Sequence, residues 1–537
     1  MNGTGPRATV VVLASALLLS GLAALAVHNL GYTGMWWDEA AQFWISQGLS
    51  NYSPPFSQPG GVRDVARMNA RENLDPGGFS ILLHLWTACG RGIAWLRALP
   101  FGFFVLAALA LGLLGWRLTR SVVFGVAASA VPLLYPTALY FALEIRAYSM
   151  EMAGLVLGVL ALVLVHERPS VTRASLLGLT CAAFVSSRYS FILVTLALAV
   201  ALGQGRERGA PRASGPRLLL AAILPVLVTA VSVWWFMLRP QAWPAMKGGP
   251  LGIISPPYTR TAVLHPGADA LGTVRRNLLS PEALPITVCL LVVLLIRRHV
   301  YGGLTESVNH AELGRSRRTY AMLYTFILGL QTVSAAASAL GMYPWDITAR
   351  WSAYLVMLSA VAAVVLAAEA RSLVLARLAR TGNGGFLRRH MRLLGSALAV
   401  MVVVAASVRS SLHRQLVEGP HRTDVALQLD TLPRALPDRS VFVALYQAPV
   451  VRYLCEYGPS AGYPGYPRIF RFETKAESQA QEPIAAGAEG ISFIVSSLPI
   501  ADVQARFPGL TLQPFGPAGS LLLAVSTPPG PSKLPPT

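Results

Sequence analysis

The sequence predicts a polytopic α-helical membrane protein carrying a small C-terminal α/β domain. Three observations lead there. First, 54% of the 537 residues are hydrophobic and 13% are charged, with a mean hydropathy of +0.51. Soluble domains carry about 25% charged residues. Second, apolar runs recur along the chain, enough for about eleven spans of roughly 20 residues each. Third, from Ser410 onward the composition becomes that of a soluble domain. The net charge of +19 lies in short clusters between apolar runs. That is the pattern of positive-inside sorting, not of a basic patch on a soluble domain, so nucleic acid is excluded as a partner.

The first span runs from Ala8 to Leu30 and reads as retained, because no small-residue cleavage site follows it. A long polar stretch, Gly31 to Asp75, comes next. Pro76 to Gly90 is apolar but short and reads as a juxtamembrane helix with His84 inside it. Further spans are expected at Ala98–Gly115, Val122–Tyr140, Ala147–Val165, Ala174–Val185, Phe191–Leu202 and Leu218–Leu238. A second polar loop, Arg239 to Pro281, is rich in Pro and Gly. The last spans are Leu284–Ile296, Thr319–Met342, Trp351–Ala368 and Leu393–Val408.

Arginines orient the chain. Arg206, Arg208, Arg212 and Arg217 fall in one loop, Arg297, Arg298, Arg315, Arg317 and Arg318 in another, and Arg371 to Arg392 in a third. These loops are placed in the cytoplasm. The first loop and the C-terminus then face outside. The expected domains are 1–409 in the membrane (first outer loop 31–97, with juxtamembrane helices), 410–526 as a soluble α/β domain outside, and 527–537 as a disordered Pro-rich tail. In the soluble domain, Thr423–Leu436 and Pro449–Tyr457 read as helices. Ser440–Tyr446, Arg468–Phe472, Ile491–Ser496 and Ser520–Ser526 read as strands. Cys89, Cys181, Cys289 and Cys455 are far apart and form no metal-binding spacing.

Chemistry is carried where charges meet span ends. Asp38 and Glu39 stand where the first span leaves the bilayer, flanked by Trp36, Trp37 and Trp44. A charged pair at that depth marks a functional site, or else the first turn of a helix, where the macrodipole favours acids. Three more clusters fall on the same side: Arg71 to Gly78, Tyr140 to Ser149, and Tyr343 to Trp351. The pattern suits group transfer from a lipid-linked phosphate donor. A carboxylate, Asp38 or Glu39, would take the acceptor proton. Arg146 and Arg350 would hold phosphate. The alternatives are an internal ion pair for Glu144 and Arg146, and a snorkelling arginine at a span end for Arg350. His84 reads first as a packed core residue. Asp75 and Asp346 read as solvated loop or helix-capping residues.

These stretches resemble a known family. Trp37-Asp38-Glu39-Ala40 after the first span resembles the Asp-Glu motif of GT-C glycosyltransferases. Within these, the similarity is to bacterial relatives of protein O-mannosyltransferases and lipid A aminoarabinose transferase. Asp75-Pro76-Gly77-Gly78 through His84-Leu85-Trp86 resembles that family's His-Pro-Pro-Leu segment and the helix after it. Arg97-Ala98-Leu99-Pro100 resembles its Arg-Leu-Pro entry to the next span. Glu144-Ile145-Arg146-Ala147-Tyr148-Ser149 resembles its Glu-x-Arg-x-Tyr-Ser motif, and Arg350-Trp351-Ser352-Ala353-Tyr354-Leu355 its late Arg-Tyr-Leu motif. The set occurs in family order across the membrane region.

The resemblance implies a GT-C fold, a polyprenyl-phosphate-linked sugar donor and inverting transfer on the outer face. It implies Asp38 as the catalytic carboxylate, with Glu39 beside it and Glu144, Tyr148, Asp75 and His84 in support. The acceptor would be a glycan, a lipid or a protein. Some members use a divalent metal and others do not; Asp38, Glu39 and Asp75 are the carboxylates that would hold one. The family's His-Pro-Pro is Asp75-Pro76-Gly77 here. High Ala, Arg and Gly content without an organellar signal points to a bacterial inner membrane. The rival readings are a transporter or lipid flippase and a non-catalytic GT-C scaffold.

Overall fold

The computed structural model describes residues 10, 35, 37–51, 53, 56–73, 75–204, 214–240, 268–293, 310–339, 345, 347, 352–380, 441–445, 448–457, 470–472, 491–496, 500–507, 511–514 and 522–526. The expected first and last spans, the helix at Thr423–Leu436, the Pro-rich tail, Arg350 and Asp346 lie outside these residues. The chain divides into two compact units. One comprises Met1–Ala26, Leu74–Phe79 and Ala98–Arg414; the other comprises Val27–Asn73, Ser80–Arg97 and Gln415–Thr537.

The helices, in order, are α1 (Trp37–Ser46), α2 (Val62–Glu72), α3 (Gly78–Thr87), α4 (Ile93–Thr119), α5 (Val122–Ala130), α6 (Pro136–Ala142), α7 (Tyr148–Glu167), α8 (Val171–Val185), α9 (Phe191–Gln204), α10 (Ser214–Val233), α11 (Ala268–Leu279), α12 (Leu284–Leu291), α13 (His310–Ala339) and α14 (Ala353–Arg380). Among the described residues, five stretches are long and apolar enough to cross a membrane: Ile93–Thr119, Tyr148–Glu167, Pro216–Leu238, Arg318–Ala339 and Ala353–Leu375.

In the first unit, α7 is the central helix. It packs against α8, α9 and α14, and most of its residues are buried. Ala153, Gly154, Gly158 and Ala161 on α7 allow the close helix approach that holds spans together in lipid. By contrast, α10 leaves Leu220, Leu224, Leu227, Val228 and Val231 exposed. Such an apolar face would aggregate in water and is the ordinary surface of a helix in a bilayer.

Two expectations need correction. The stretch Val122–Tyr140 is not one span. It breaks into α5, a 3-10 turn (Val131–Leu134) and α6. Pro132 and Pro136 lack the N–H that a continuous helix requires, and each stands at the start of its own element. The polar stretches are also more ordered than composition suggests: α1 and α2 form within the first, and α11 within the second. In α2, Val65 and Asn69 are the buried positions, one helical turn apart.

The second unit contains a five-stranded sheet in the order β2-β1-β3-β5-β4. Its strands are β1 (Val441–Leu445), β2 (Phe470–Phe472), β3 (Ile491–Ser496), β4 (Thr511–Pro514) and β5 (Leu522–Ser526). The β1 strand pairs in parallel with β2 and β3, while β5 runs antiparallel to β3 and β4. Helix α15 (Ala448–Tyr457) follows β1, and α16 (Ile500–Arg506) follows β3. Sequence patterning had placed neither α16 nor β4. Both are too short, at 7 and 4 residues, to establish a period.

Candidate functional site

Helix α1 carries Asp38 and Glu39 in its first turn, where the helix dipole favours acids. From Glu39 to Ser46 every residue is buried, whereas Asp38 is half-buried. The two carboxylates therefore differ in environment. Arg97 Nη2 donates to Glu39 Oε2 at 2.9 Å, and Arg97 Nε donates to Glu39 Oε1 at 3.3 Å. Both partners are essentially inaccessible to solvent. A fork-shaped pair of this kind neutralises a carboxylate that burial alone would penalise heavily.

Two sets of contacts hold α1 in place within its unit. On one side is a closed polar network. Gln42 Nε2 donates to Ser80 Oγ at 2.7 Å, and Ser80 Oγ donates to Asn69 Oδ1 at 2.7 Å. Asn73 Nδ2 donates to Asn69 Oδ1 at 2.8 Å and to Gln42 Oε1 at 3.2 Å. His84 Nδ1 donates to the Ser46 carbonyl at 2.8 Å, at the end of the same helix. On the other side lies α15. Trp44 Nε1 donates to the Pro449 carbonyl at 2.9 Å. Phe43 meets the Tyr453 ring edge-on, with centroids 5.0 Å apart. The Tyr453 hydroxyl donates to the Arg91 carbonyl at 2.7 Å, and burial pushes its pKa well above the ordinary phenol value.

The first unit gathers a second constellation. Arg146 Nη2 lies 3.6 Å from Asp75 Oδ2, and Arg188 Nη1 lies 3.6 Å from Asp75 Oδ1. Arg188 Nε lies 3.4 Å from Glu151 Oε2. The Ser190 hydroxyl donates to the other Glu151 oxygen. The Arg188 guanidinium sits 4.7 Å from the Tyr148 ring centroid, and that of Arg146 sits 6.0 Å from it. Glu144, Tyr148, Glu151 and Ser190 are buried, as are Asp75, Arg146 and Arg188. The sequence around Asp75 explains how it reaches this place. Gly77 has φ +99°, which L side chains rarely adopt. The Gly78 N–H donates to the Ser186 carbonyl at 2.8 Å. A Cβ on Gly78 would sit 2.6 Å from that oxygen, so only glycine permits the approach.

These positions revise the sequence reading. Asp75 is not a solvated loop residue: it is buried between two arginines. Arg146 faces Asp75 through its guanidinium, and its backbone N–H donates to the Glu144 carbonyl at 2.6 Å. Asp75, Glu144, Arg146 and Tyr148 come together in the first unit, while Asp38, Glu39 and His84 belong to the second. Arg97, Glu151 and Arg188 were missed as functional candidates. The signal for Arg188 was a lone arginine between two short apolar helices. That for Glu151 was an acid inside the first turn of an otherwise apolar span. Among the described residues, no three His, Cys, Asp or Glu side chains form a metal-binding group. Arg97 engages both oxygens of Glu39, one of the carboxylates that the sequence offered to an ion.

Neither a protein-family model nor a curated protein matches the sequence. The fold does match. It is similar to the crystal structure of ArnT from Cupriavidus metallidurans in the apo state, with a TM-score of 0.53 at 13% identity. The likeness covers 95% of this chain and 97% of that one. The chain thus shares the fold of that structure, and its apolar helices are those of a multi-pass membrane protein.

Proposed function

We propose that the protein is a membrane glycosyltransferase that moves a sugar from a polyprenyl-phosphate-linked donor to an acceptor on the extracytoplasmic face. The observation that carries this reading is a fold likeness to ArnT spanning 95% of the chain. The ordered motifs around Asp38, Asp75, Arg97, Glu144 and Arg146 point to the same chemistry. The membrane is the bacterial inner membrane, and the C-terminal α/β region faces outside with the acceptor, which is a glycan, lipid or protein.

In the proposed reaction the acceptor hydroxyl oxygen attacks the anomeric carbon with inversion. The bond between that carbon and the phosphate oxygen breaks, and its electron pair stays on the phosphate. Asp38 takes the acceptor proton. Glu39, already neutralised by Arg97, does not compete for that proton. Its role is to fix the first turn of α1 and hence the aim of Asp38. The leaving phosphate gains negative charge as the bond breaks, and fixed guanidinium groups stabilise it. Arg146 serves in this role, and Arg350 is assigned to it as well. Glu144 and Tyr148 hold the Arg146 turn, and His84 holds the end of α1.

The test is transfer from a panel of radiolabelled polyprenyl-phosphate sugars, in membranes carrying the protein or its Asp38→Asn variant. Transfer that disappears in a folded variant supports the reading. Transfer that survives removes Asp38 as the base, and no turnover with any donor favours a transporter or scaffold.

A further inference from the structure

One end of the first unit gathers arginines that neither the motif set nor the proposed reaction uses. Arg117 Nη1 lies 3.0 Å from Glu167 Oε2, and Arg120 Nη2 lies 3.5 Å from Glu167 Oε1. Arg173 Nη1 donates to the Leu164 carbonyl at 2.7 Å and to the Arg168 carbonyl at 3.4 Å. Arg371 Nη1 donates to the Thr119 carbonyl at 3.2 Å, at the end of α4. Five arginines from α4, the α7–α8 turn and α14 thus meet at one corner. They remain accessible: the Arg120 side chain is 56% exposed, Arg168 is exposed, and Arg117 and Arg173 are half-buried. Positive-inside sorting sets how many arginines a loop carries; it does not require them to be tied to one spot. Capping of helix carbonyls accounts for Arg173 and Arg371, but not for Arg117, Arg120 and Arg168. Among the described residues, Glu167 is the acid these arginines contact. Glu369 on α14 is buried and accepts from the Tyr324 hydroxyl. Cations crowded around one carboxylate repel one another unless a further anion joins them. Next to this corner, Leu176 and Leu179 of α8 are exposed. They follow Arg173 by three and six residues, about 4.5 and 9 Å along the helix.

We propose that this corner, centred on Arg117, Arg120 and Arg168, binds the headgroup of an anionic phospholipid of the cytoplasmic leaflet, with the acyl chains lying along Leu176 and Leu179. The inference goes beyond sugar transfer and does not depend on it. The headgroup phosphate need not displace Glu167. That carboxylate engages one nitrogen of Arg117 and one of Arg120, and a guanidinium carries donors on all three of its nitrogens. A zwitterionic headgroup answers the arginines less well, because its own cation cancels the phosphate charge. Each arginine near a bilayer surface is worth about fivefold in affinity toward anionic lipid. Cations at headgroup level with exposed leucines beneath them form the two-part surface that a phospholipid fits.

The experiment measures binding of radiolabelled phosphatidylglycerol to the purified full-length protein in a neutral detergent, alongside thermal unfolding of each variant. Wild type is expected to prefer this lipid to phosphatidylcholine with the same acyl chains, and the preference should shrink as salt screens the exposed charges. Equal binding of the two lipids by wild type overturns the proposal without recourse to any variant. Arg120→Gln combined with Arg168→Gln is expected to weaken phosphatidylglycerol binding by about tenfold or more, and Arg120→Lys with Arg168→Lys to recover most of it. Both positions are exposed, so the unfolding midpoint should stay near that of wild type. Arg315→Gln combined with Arg317→Gln removes the same charge from another basic cluster, and is expected to change binding by less than about twofold. Equal weakening by the two pairs would mean diffuse attraction to a basic face and would overturn the site. Inorganic phosphate is expected not to displace the lipid; displacement at equal concentration would make a soluble anion the occupant and overturn the lipid assignment.

Discussion

The Arg452 guanidinium lies 3.7 Å from the centroid of the Trp44 ring. This contact joins α15 to the helix that carries Asp38. Arg452 is fully buried; its Nε donates to Glu456 Oε1 at 2.9 Å and its Nη1 to the Ser53 carbonyl at 3.2 Å. Burial lowers its pKa below the ordinary guanidine value, against the opposing pull of Glu456. Removing it leaves the Glu456 carboxylate buried beside an empty space. Arg452→Ala should therefore destabilise the second unit by about 3–5 kcal/mol, with transfer falling in parallel. Unfolding in detergent followed by tryptophan fluorescence checks this; an unchanged midpoint would show that α15 does not brace α1.

Glu39 and Arg97 should behave as a coupled pair. Glu39→Gln or Arg97→Met alone strands a buried partner, at a cost of about 3–5 kcal/mol. The double variant should cost less than the sum of the two, because neither charge is then left alone. Asp38→Asn, at a half-buried position, should leave stability within about 0.5 kcal/mol while abolishing transfer. A double-mutant cycle with near-zero coupling would refute the pairing.

Gly78→Ala should destabilise the first unit. The new Cβ would meet the Ser186 carbonyl oxygen at 2.6 Å, so one of the two backbones must shift. Overpacking of this kind costs about 1–3 kcal/mol. The displaced turn carries Arg188, so its contacts with Asp75 and Glu151 should loosen as well. An unfolding midpoint unchanged in Gly78→Ala would remove the anchoring role of this glycine.

Tyr453 predicts an alkaline limit. Its folded pKa is raised above the ordinary value of 10.0, chiefly by burial. The folded chain then holds a proton that the unfolded chain releases. The stability it contributes is complete below about pH 10 and falls as pH rises above that value. Comparing unfolding midpoints between pH 8 and 11 should show a smaller decline in Tyr453→Phe than in wild type. Equal slopes would contradict the assignment.

Much of the fold was legible in the sequence because hydropathy acts locally. The starts of α7, α9 and β3 fall within a residue of where the apolar pattern placed them, since a run of apolar side chains reports its own burial. The break at Pro132 and Pro136 was written in the sequence and overlooked, as the apolar run continued through both prolines. Helix α2 was harder to see: just two of its residues are buried, too few to stand out against a polar loop.

The sequence by itself determined that this chain enters a membrane. It also determined that acids and arginines cluster at span ends, with Asp38 and Glu39 following the first apolar run. Only the tertiary structure decided which acid each arginine serves. Glu39 is paired with Arg97, 58 positions away, and Asp75 stands between Arg146 and Arg188. Composition and periodicity report which residues avoid water. They do not report which charges meet once water is excluded, because that depends on how distant segments pack and on where a glycine lets two backbones touch.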